Sequence, residues 1–550
     1  LRKEMRGTAE AYEKSLRNTA PHRMMRAGYC DEQVGRYCVI YDVGTLPPLP
    51  PEPEEVRTAR GRAIQAFQQA VKVWPNDSTL VAPLIRYLVE DERGADAVEV
   101  ARRYADIGPD RVWSAFLLGF ALHGAGDDAL AEQTFLRALY EALPNERQEM
   151  HDVMFLLRKD EQPRYRALSG PERARYLERL WRLADPLYLT PGNESQVEHY
   201  ARRVYARILS YAPGADGMGW GPDQEQLLIR FGAPTARTYN FGQGQGRQLT
   251  EHYHPDQMTY VPPAQVTRVA LSRFEPGSPW PYDTVRAFSG YAPRSIRRMR
   301  VLEHQVARFP GDSLMRADFV VVPDDSAGRP ARVEVGLFAL DSTYEVIAEA
   351  RDTILIESER VAGSISVRLP AGAAAYSLEA LELGTRYAQR ARYALPVVSG
   401  PRPVLSDVVI FAATDAAPPA NRESAAFQPL PSLVIPRGTA IGIYIEARGL
   451  ARTTDGSNRY RVDLEVLEQD KPGIFSRAVR RLGRALGMQS DDVAPRITWT
   501  QQQAAATTAS VGLKLGSVGL DPGLKQFKIT VTDLQTNRSA SVDRLVKVVD

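Results

Sequence analysis

Two histidines near the middle of the chain are the residues best suited to hold a metal ion. His252 and His254 alternate within Glu251–Asp256, and alternate residues of a strand point to the same side. Zinc would need a third ligand, for which Glu198 and His199 are candidates. The alternative is a pair of surface or hydrogen-bonded histidines, because seven histidines in 550 residues make a local pair unsurprising. We therefore predict no metal and no other cofactor.

The chain lacks the sequence motifs of common hydrolases and nucleotide-dependent enzymes. It has no G-x-S-x-G elbow, and the glycines of 242–246 do not have the spacing of a dinucleotide-binding loop. We predict that the protein is not an enzyme. The alternative is a secreted hydrolase or a carbohydrate-binding protein, with His252, His254 and Trp220 around one pocket.

Cys30 and Cys38 are the two cysteines of the chain, and both lie within one short segment. Two cysteines this close in so long a chain favour a local disulfide and an oxidising compartment. Two thiols in a reducing compartment are the alternative. We predict that residues 1–53 form an N-terminal helix, this cysteine loop and the proline-rich spacer Pro47–Pro53.

Charge and length exclude some classes of function. The chain has 69 basic and 67 acidic residues and a formal net charge of +2, which gives no overall attraction to nucleic acid. We therefore predict no nucleic-acid partner. A length of 550 residues indicates about three to five domains.

A period of 34 residues marks the first third of the chain. Ala63, Ala97 and Ala131 lie 34 residues apart. This is the period of tetratricopeptide repeats, in which small residues allow two antiparallel helices to approach each other closely. We predict such an array over 54–169. It should contain about two and a half units, because the proline-rich spacer takes the place of the first helix.

Three aromatic residues lie in the predicted first helix of the third unit: Trp113, Phe116 and Phe120. The first helices of such arrays line a concave face, so we interpret these residues as a groove for a peptide or a partner helix. The alternative is that they pack against an adjoining domain, since a short array has little free surface. Other proteins are the predicted partners, within a large assembly.

A motif rich in glycine follows the helical part of the chain. It consists of Gly219-Trp220-Gly221-Pro222-Asp223 and, after three residues, Leu227–Pro234. Glycine permits a tight turn around the indole, and Asp223 can cap a turn that leads into a strand. Arg230 can pair with Asp223 or with another carboxylate. The residues that we assign to this structural motif are Gly219, Trp220, Asp223, Arg230, Gly232 and Pro234.

These two segments resemble the GWxTD domain of bacterial secreted or envelope-associated proteins. Pro222 stands where that family has threonine. The resemblance covers 170–263 at its core, and we assign a small α+β domain to 170–311. It implies no activity. It does imply an exported protein in the periplasm, at the outer membrane surface or outside the cell.

The last part of the chain alternates short apolar runs with turn residues, which predicts two antiparallel β-sandwiches over 312–398 and 399–550. Within the second, 474–488 has the pattern of an amphipathic helix. We predict contact of this helix with an anionic membrane or an acidic partner. A helix packed on the sandwich is the alternative. Its basic residues are Arg477, Arg480, Arg481 and Arg484.

Together these patterns predict a multidomain α+β protein. It has an N-terminal tetratricopeptide-like array, a central GWxTD-like domain and two C-terminal sandwiches. The predicted function is that of a non-catalytic exported scaffold or interaction protein, as a structural or accessory component of a bacterial envelope or surface assembly.

Overall fold

The chain divides into two compact units in a computed structural model. The first unit contains 1–269 and 281–296, and the second contains 270–280 and 297–550. The structure describes residues 1–19, 32–39, 51–157, 159–214, 219–234, 236–241, 247–252, 273–276, 296, 298–324, 330–396, 403–415, 417–469, 496–504, 506–516 and 520–550. The first unit is mainly helical and the second consists of β-sheets, so the prediction of a multidomain α+β protein is confirmed.

Eleven α-helices lie in the described part of the first unit. They are α1 (Arg2–Ser15), α2 (Glu54–Val73), α3 (Ser78–Glu90), α4 (Gly94–Ile107), α5 (Arg111–Gly124), α6 (Asp128–Glu141), α7 (Pro144–His151), α8 (Gln162–Arg166), α9 (Gly170–Ala184), α10 (Glu194–Leu209) and α11 (Pro222–Phe231). Two short hairpins accompany them: β1 (Glu32–Val34) with β2 (Tyr37–Val39), and β3 (Ala236–Phe241) with β4 (Arg247–His252).

The first six helices form three successive pairs, α1 with α2, α3 with α4 and α5 with α6. The alanines of the 34-residue period, Ala63, Ala97 and Ala131, lie on α2, α4 and α6 and are fully buried. Aspartates begin the first helices of the second and third pairs, because Asp77 and Asp110 accept hydrogen bonds from backbone N–H groups of α3 and α5. The period therefore corresponds to one helix pair.

The helix α1 is the first helix of the first pair. The prediction that the proline-rich spacer takes the place of this helix is therefore wrong. Met5, Ala9 and Tyr12 of α1 recur at positions i, i+4 and i+7 and are buried. Such spacing puts them on one face of the helix. A segment distant from the repeat thus completes the array, which has three pairs instead of two and a half.

The second unit contains the remaining strands. They are β5 (Arg298–Val301), β6 (Glu303–Phe309), β7 (Leu314–Val321), β8 (Ala331–Leu340), β9 (Val346–Ile356), β10 (Val361–Arg368), β11 (Ala375–Glu382), β12 (Tyr387–Ala394), β13 (Val404–Leu405), β14 (Val409–Ala412), β15 (Val434–Pro436), β16 (Ile441–Arg448), β17 (Ser457–Glu468), β18 (Arg496–Ala504), β19 (Thr508–Gly516), β20 (Gly523–Asp533) and β21 (Arg538–Val549).

These strands form four sheets among the described residues. A three-stranded sheet has the order β10-β7-β6, and a five-stranded sheet has the order β5-β12-β11-β8-β9. Further along the chain, β16 pairs with β13, β14 and β19, and a second five-stranded sheet has the order β15-β21-β20-β17-β18. Most pairs are antiparallel, but β5 pairs with β12 and β15 pairs with β21 in parallel.

The core of the last two sheets follows from alternation along their strands. Phe527, Ile529 and Val531 of β20 are buried, and alternate residues of a strand share one face of the sheet. Ile443 and Ile445 of β16, from the other sheet, belong to the same apolar cluster. The two sheets therefore pack face to face through the buried apolar residues of their strands.

Candidate functional site

The motif rich in glycine forms a helix start and not the turn before a strand. Leu227 lies in α11, which begins at Pro222 and ends before Gly232. Proline fits the first turn of a helix, because that N–H has no partner within the helix. Gly232 has φ 79°, which suits glycine at a helix end. The strand prediction for this apolar run is wrong, because five residues are too few to distinguish the two periods.

Asp223 binds an arginine of the hairpin formed by β1 and β2. Its carboxylate oxygens accept hydrogen bonds from Arg36 Nε at 2.6 Å and Arg36 Nη2 at 2.7 Å, and the backbone N–H of Arg36 donates to it at 3.0 Å. These hydrogen bonds hold the pKa of Asp223 well below its usual range. Asp223, which we expected to cap a turn, therefore attaches the hairpin of β1 and β2 to the motif.

Arg230 binds a second residue of the same hairpin. Its Nη1 and Nη2 donate to the two carboxylate oxygens of Glu32 at 3.0 and 2.8 Å, and the Arg230 side chain is fully buried. Bidentate pairs of this kind fix geometry as well as charge. Of the two partners predicted for Arg230, Asp223 or another carboxylate, the structure shows the second. We refer to α11 with this hairpin as the hairpin dock.

Apolar contacts and a glycine complete the hairpin dock. Val34 and Tyr37 form a small cluster with Leu227 and Phe231 of α11. Gly35, at the hairpin turn, has φ +52°, and a Cβ atom there would lie 2.4 Å from Asp223 Cβ. The turn therefore requires glycine both for its backbone conformation and for the close approach of Asp223.

The other motif residues have smaller roles. Gly219 is exposed, and its carbonyl accepts from Arg36 Nη1 and Nη2 at 3.4 Å. Trp220 and Pro234 are partly exposed. A Cβ on Gly232 would lie 3.2 Å from Arg202 Nη2, so this glycine leaves room for a neighbouring guanidinium.

The helix α10 connects the hairpin dock to the helix pairs. Arg202 Nη1 donates to the carbonyl of Ile229 at 2.9 Å, and Arg203 Nη1 donates to Glu225 at 2.8 Å. Arg202 also pairs with Glu198, one helical turn before it on α10. Two buried arginines of α10 therefore hold α10 and α11 together.

His123 of α5 lies between two carboxylates. Its Nδ1 is 2.7 Å from Asp128 of α6, and its Nε2 is 2.7 Å from Glu198 of α10. Burial lowers the pKa of His123, but the hydrogen bonds of Asp128 and Glu198 outweigh that effect and raise it to about 9. Arg202 and His123 also lower the pKa of Glu198, against the effect of burial. With both ring nitrogens engaged, this imidazolium ties helices together and is not placed as a general base.

A second charged cluster joins α1, α3 and α10. Arg86 of α3 pairs with Glu13 of α1 at 2.7 Å and with Glu90 at 2.6 Å. Tyr12 of α1 donates to Glu90 at 2.9 Å, and Tyr205 of α10 donates to the same carboxylate. The sequence analysis missed this cluster. The signal in the sequence was Arg86 within the mainly apolar α3, four residues before Glu90.

The three aromatic residues of the predicted groove are buried in the core. Trp113 is 9% exposed, Phe116 1% and Phe120 5%. Helix α10 covers two of them: its Arg207 lies over the Trp113 ring at 4.2 Å, and its Tyr205 ring is 5.8 Å from that of Phe120. The ring of Phe116 lies 6.5 Å from that of Phe135 on α6. The structure therefore favours the alternative interpretation, in which they pack against the following domain, over an open groove.

The two candidate donors that were to complete a zinc site have other partners. Glu198 binds His123 and Arg202, and buried His199 faces the carbonyl of Met150 at 3.1 Å. Within the described ranges, no group of three His, Cys, Asp or Glu side chains is arranged to hold a metal ion.

Several predicted residues lie outside the described residues. They are His254, Cys30, the amphipathic segment 474–488 with Arg477, Arg480, Arg481 and Arg484, and the side chains of His252 and Cys38. The backbone of His252 pairs with Ala236 in the hairpin of β3 and β4. In the part of the chain that the structure describes, no helix is long and apolar enough to cross a membrane.

Comparisons with known proteins identify no relative by sequence. No family model matches the chain, and no curated protein matches it. A solved structure with some likeness is described as manganese lipoxygenase of Gaeumannomyces graminis with a partial structure of zonadhesin of Komagataella pastoris. It is 9% identical with a TM-score of 0.17, and the match covers 45% of this chain and 93% of that one. A likeness this weak carries no argument about fold or activity.

Proposed function

We propose that this protein is a non-catalytic, exported scaffold of a bacterial envelope or surface assembly. The observation that carries the proposal is the hairpin dock. Both charged residues of its motif, Asp223 and Arg230, are engaged by the hairpin residues Arg36 and Glu32. Charges used in this way position a segment of the protein, whereas a catalytic pair would have to present at least one group to a substrate.

The proposal includes a finer description of the fold. The three helix pairs form a tetratricopeptide-like array, and α10 covers one side of it. The motif belongs to the GWxTD-like domain predicted over 170–311, and the sheets form the two β-sandwiches predicted over 312–398 and 399–550. The strands β5 and β6, which lie before residue 312, pair with β12 and β7 and are added to the first sandwich. Buried alanines at the 34-residue spacing support the first assignment. The apolar cluster shared by β16 and β20 supports the last sandwich.

Export is the part of the proposal that rests on the sequence. The resemblance of the motif to GWxTD proteins and the closely spaced Cys30 and Cys38 support it. Fractionation of native cells, with thiol alkylation before lysis, tests it. We expect the protein in the envelope or the medium with both cysteines protected from alkylation. Recovery in the cytoplasm with both cysteines alkylated would contradict export.

The scaffold role is tested by the size of the native particle. Affinity-tagged protein recovered gently from its native cells should elute well above its own mass of 61.1 kDa, with other proteins in fixed ratio after cross-linking. The purified chain should show no hydrolysis of a glycan and ester substrate panel. A native particle of one chain only, or hydrolysis that disappears in His252→Ala and His254→Ala variants, would support the alternative of a secreted hydrolase.

Membrane contact through 474–488 is a separate part of the proposal. Four arginines in this short segment favour anionic lipid, and such attraction weakens with salt. Replacement of Arg477, Arg480, Arg481 and Arg484 by glutamine should remove salt-sensitive binding to vesicles that contain phosphatidylserine. Equal binding of this variant and the parent chain would exclude the segment as the membrane contact.

A further inference from the structure

The outer face of α6 carries an apolar stripe that is exposed to solvent. Leu136 is 45% exposed, Tyr140 85% and Leu143, just after the helix, 64%. Leu136 and Tyr140 are one turn apart, so at 100° per residue they lie within about 40° of each other on the helix. Leu143 follows the helix end after the extended residue Ala142. Large apolar side chains grouped in this way, in contrast to scattered ones, mark a surface of interaction.

The repeat shows that stacking of the helix pairs does not require this stripe. The positions 34 residues before Leu136 and Tyr140 are Arg102 and Asp106 on α4, and both are exposed. The positions 68 residues before them are Gln68 and Lys72 on α2, which are half-buried and exposed. Equivalent positions are therefore polar in the first two pairs. The last pair has apolar side chains where the fold itself accepts polar ones.

The charges beside the stripe indicate what covers it. Arg137 and Glu141 lie along one flank of the stripe, 82% and 45% exposed, and are 3.6 Å apart. In two antiparallel helices related by a two-fold axis, each flank faces the same flank of the other helix. An axis level with residue 139 brings Arg137 of each helix opposite Glu141 of the other. The flank is therefore complementary to itself in the antiparallel orientation.

We propose that α6 is a self-association surface through which two copies of this chain form an antiparallel, two-fold symmetric dimer. Tyr140 of the two copies meet near the axis, and Leu143 of each copy packs beside Leu136 of the other. Arg137 and Glu141 form two reciprocal ion pairs at the edge of this contact. The proposal does not depend on the scaffold function, because it concerns the purified chain alone.

The expected dimer is weak. A single helix face covers less than the roughly 1,200 Å² in total that stable interfaces bury. Dissociation constants in the micromolar range are therefore expected, on the order of those of transient complexes. Sedimentation velocity of the full chain over a hundredfold range of concentration should show a reversible shift from 61.1 kDa towards twice that mass.

Four variants test the contact and its orientation. Tyr140→Glu should weaken the dimer at least tenfold, whereas Val73→Glu, at an exposed apolar position on α2 (58% exposed), should leave it unchanged. Arg137→Glu should weaken it severalfold by placing like charges opposite each other. The double variant Arg137→Glu with Glu141→Arg should restore it, because the exchanged charges again face opposite charges in the antiparallel orientation.

The thermal midpoint of each variant shows whether the chain still folds, and all of these exposed substitutions should leave it close to that of the parent chain. A parent chain that stays monomeric at every concentration would overturn the proposal. So would a Tyr140→Glu variant that dimerises like its parent. Failure of the double variant to recover would overturn the antiparallel orientation. None of these results bears on whether the chain assembles with other proteins in cells.

Discussion

His123 in the helical unit and His304 in the β unit are each buried between two hydrogen-bonding partners, and the two have opposite protonation behaviour. His123 of the helical unit lies between the carboxylates of Asp128 and Glu198, and its pKa is raised to about 9. His304 of the β unit contacts the carbonyl of Leu302 at 2.9 Å and the hydroxyl of Tyr376 at 2.7 Å. Burial lowers the pKa of His304 to about 4.

The difference shows that burial alone does not set the charge of an interior side chain. Both histidines are almost inaccessible to solvent. Charged neighbours keep His123 ionised, whereas burial and the Arg544 guanidinium lower the pKa of His304 against the effect of its hydrogen bond to the Leu302 carbonyl. At these two sites, His123 joins distant segments of the helical unit through ion pairs, and His304 contacts its neighbours through neutral groups. Elsewhere β6 also carries an ion pair, between Arg308 and Asp407.

The largest expected effect comes from breaking an ion pair of the helical unit. Arg230→Met leaves Glu32 without its bidentate partner, and loss of a buried pair costs about 4 kcal/mol. The urea midpoint of the first unit should fall, and trypsin should cleave after Arg36 more rapidly. The control Arg103→Met removes an exposed arginine, 76% accessible, and should change stability by less than about 0.5 kcal/mol. Equal effects of the two variants would contradict a role of ion pairs in this unit.

Alkaline pH should weaken the helical unit through His123. Its folded pKa of about 9 lies above the usual 6.5, so its contribution is complete below pH 6.5 and is lost as pH rises through 9. The loss should reach about 3 kcal/mol relative to a His123→Gln variant. Urea titrations of both proteins across this range measure it. If the stability difference between them stayed constant with pH, the imidazolium assignment would be wrong.

In the β unit, removal of a hydroxyl tests the neutral contact. Tyr376→Phe leaves the buried Nε2 of His304 without its donor, which costs about 2 kcal/mol. Calorimetry should show a lower transition temperature for the second unit and an unchanged transition for the first. Tyr460→Phe is the matched control, since the buried hydroxyl of Tyr460 has no hydrogen-bond partner among the described residues. A larger loss for the control would contradict the assignment.

Acid should weaken the β unit through His304, and this is the smallest expected effect. Because its folded pKa of about 4 lies below the usual 6.5, its contribution is present above pH 6.5 and is lost as pH falls towards 4. The expected loss at pH 6 is about 1 kcal/mol relative to a His304→Gln variant. A stability that rises for the parent between pH 6.5 and 5, relative to this variant, would reverse the comparison.

Sequence patterns that repeat over many residues predicted the secondary structure correctly, whereas an apolar run shorter than two helical turns did not. The spacing of Ala63, Ala97 and Ala131 predicted helix pairs, because repeated spacing reports one face of an element. The alternation of short apolar runs with turn residues after residue 312 predicted strands. The short run from Leu227 to Phe231 was assigned to a strand but is helical. Neither the role of α1 in the first pair nor the covering of Trp113 by α10 could be predicted, since both depend on which segments meet.

The sequence by itself determined the helical first unit, the β second unit, the repeat and the motif around Asp223 and Arg230. Only the tertiary structure decided how those charges are used. Arg36 is 187 residues from Asp223, and Glu32 is 198 residues from Arg230. Any of 69 basic and 67 acidic residues could pair on grounds of charge. Periodicity records local geometry, whereas the choice of a partner across such distances is made by the packing of whole elements.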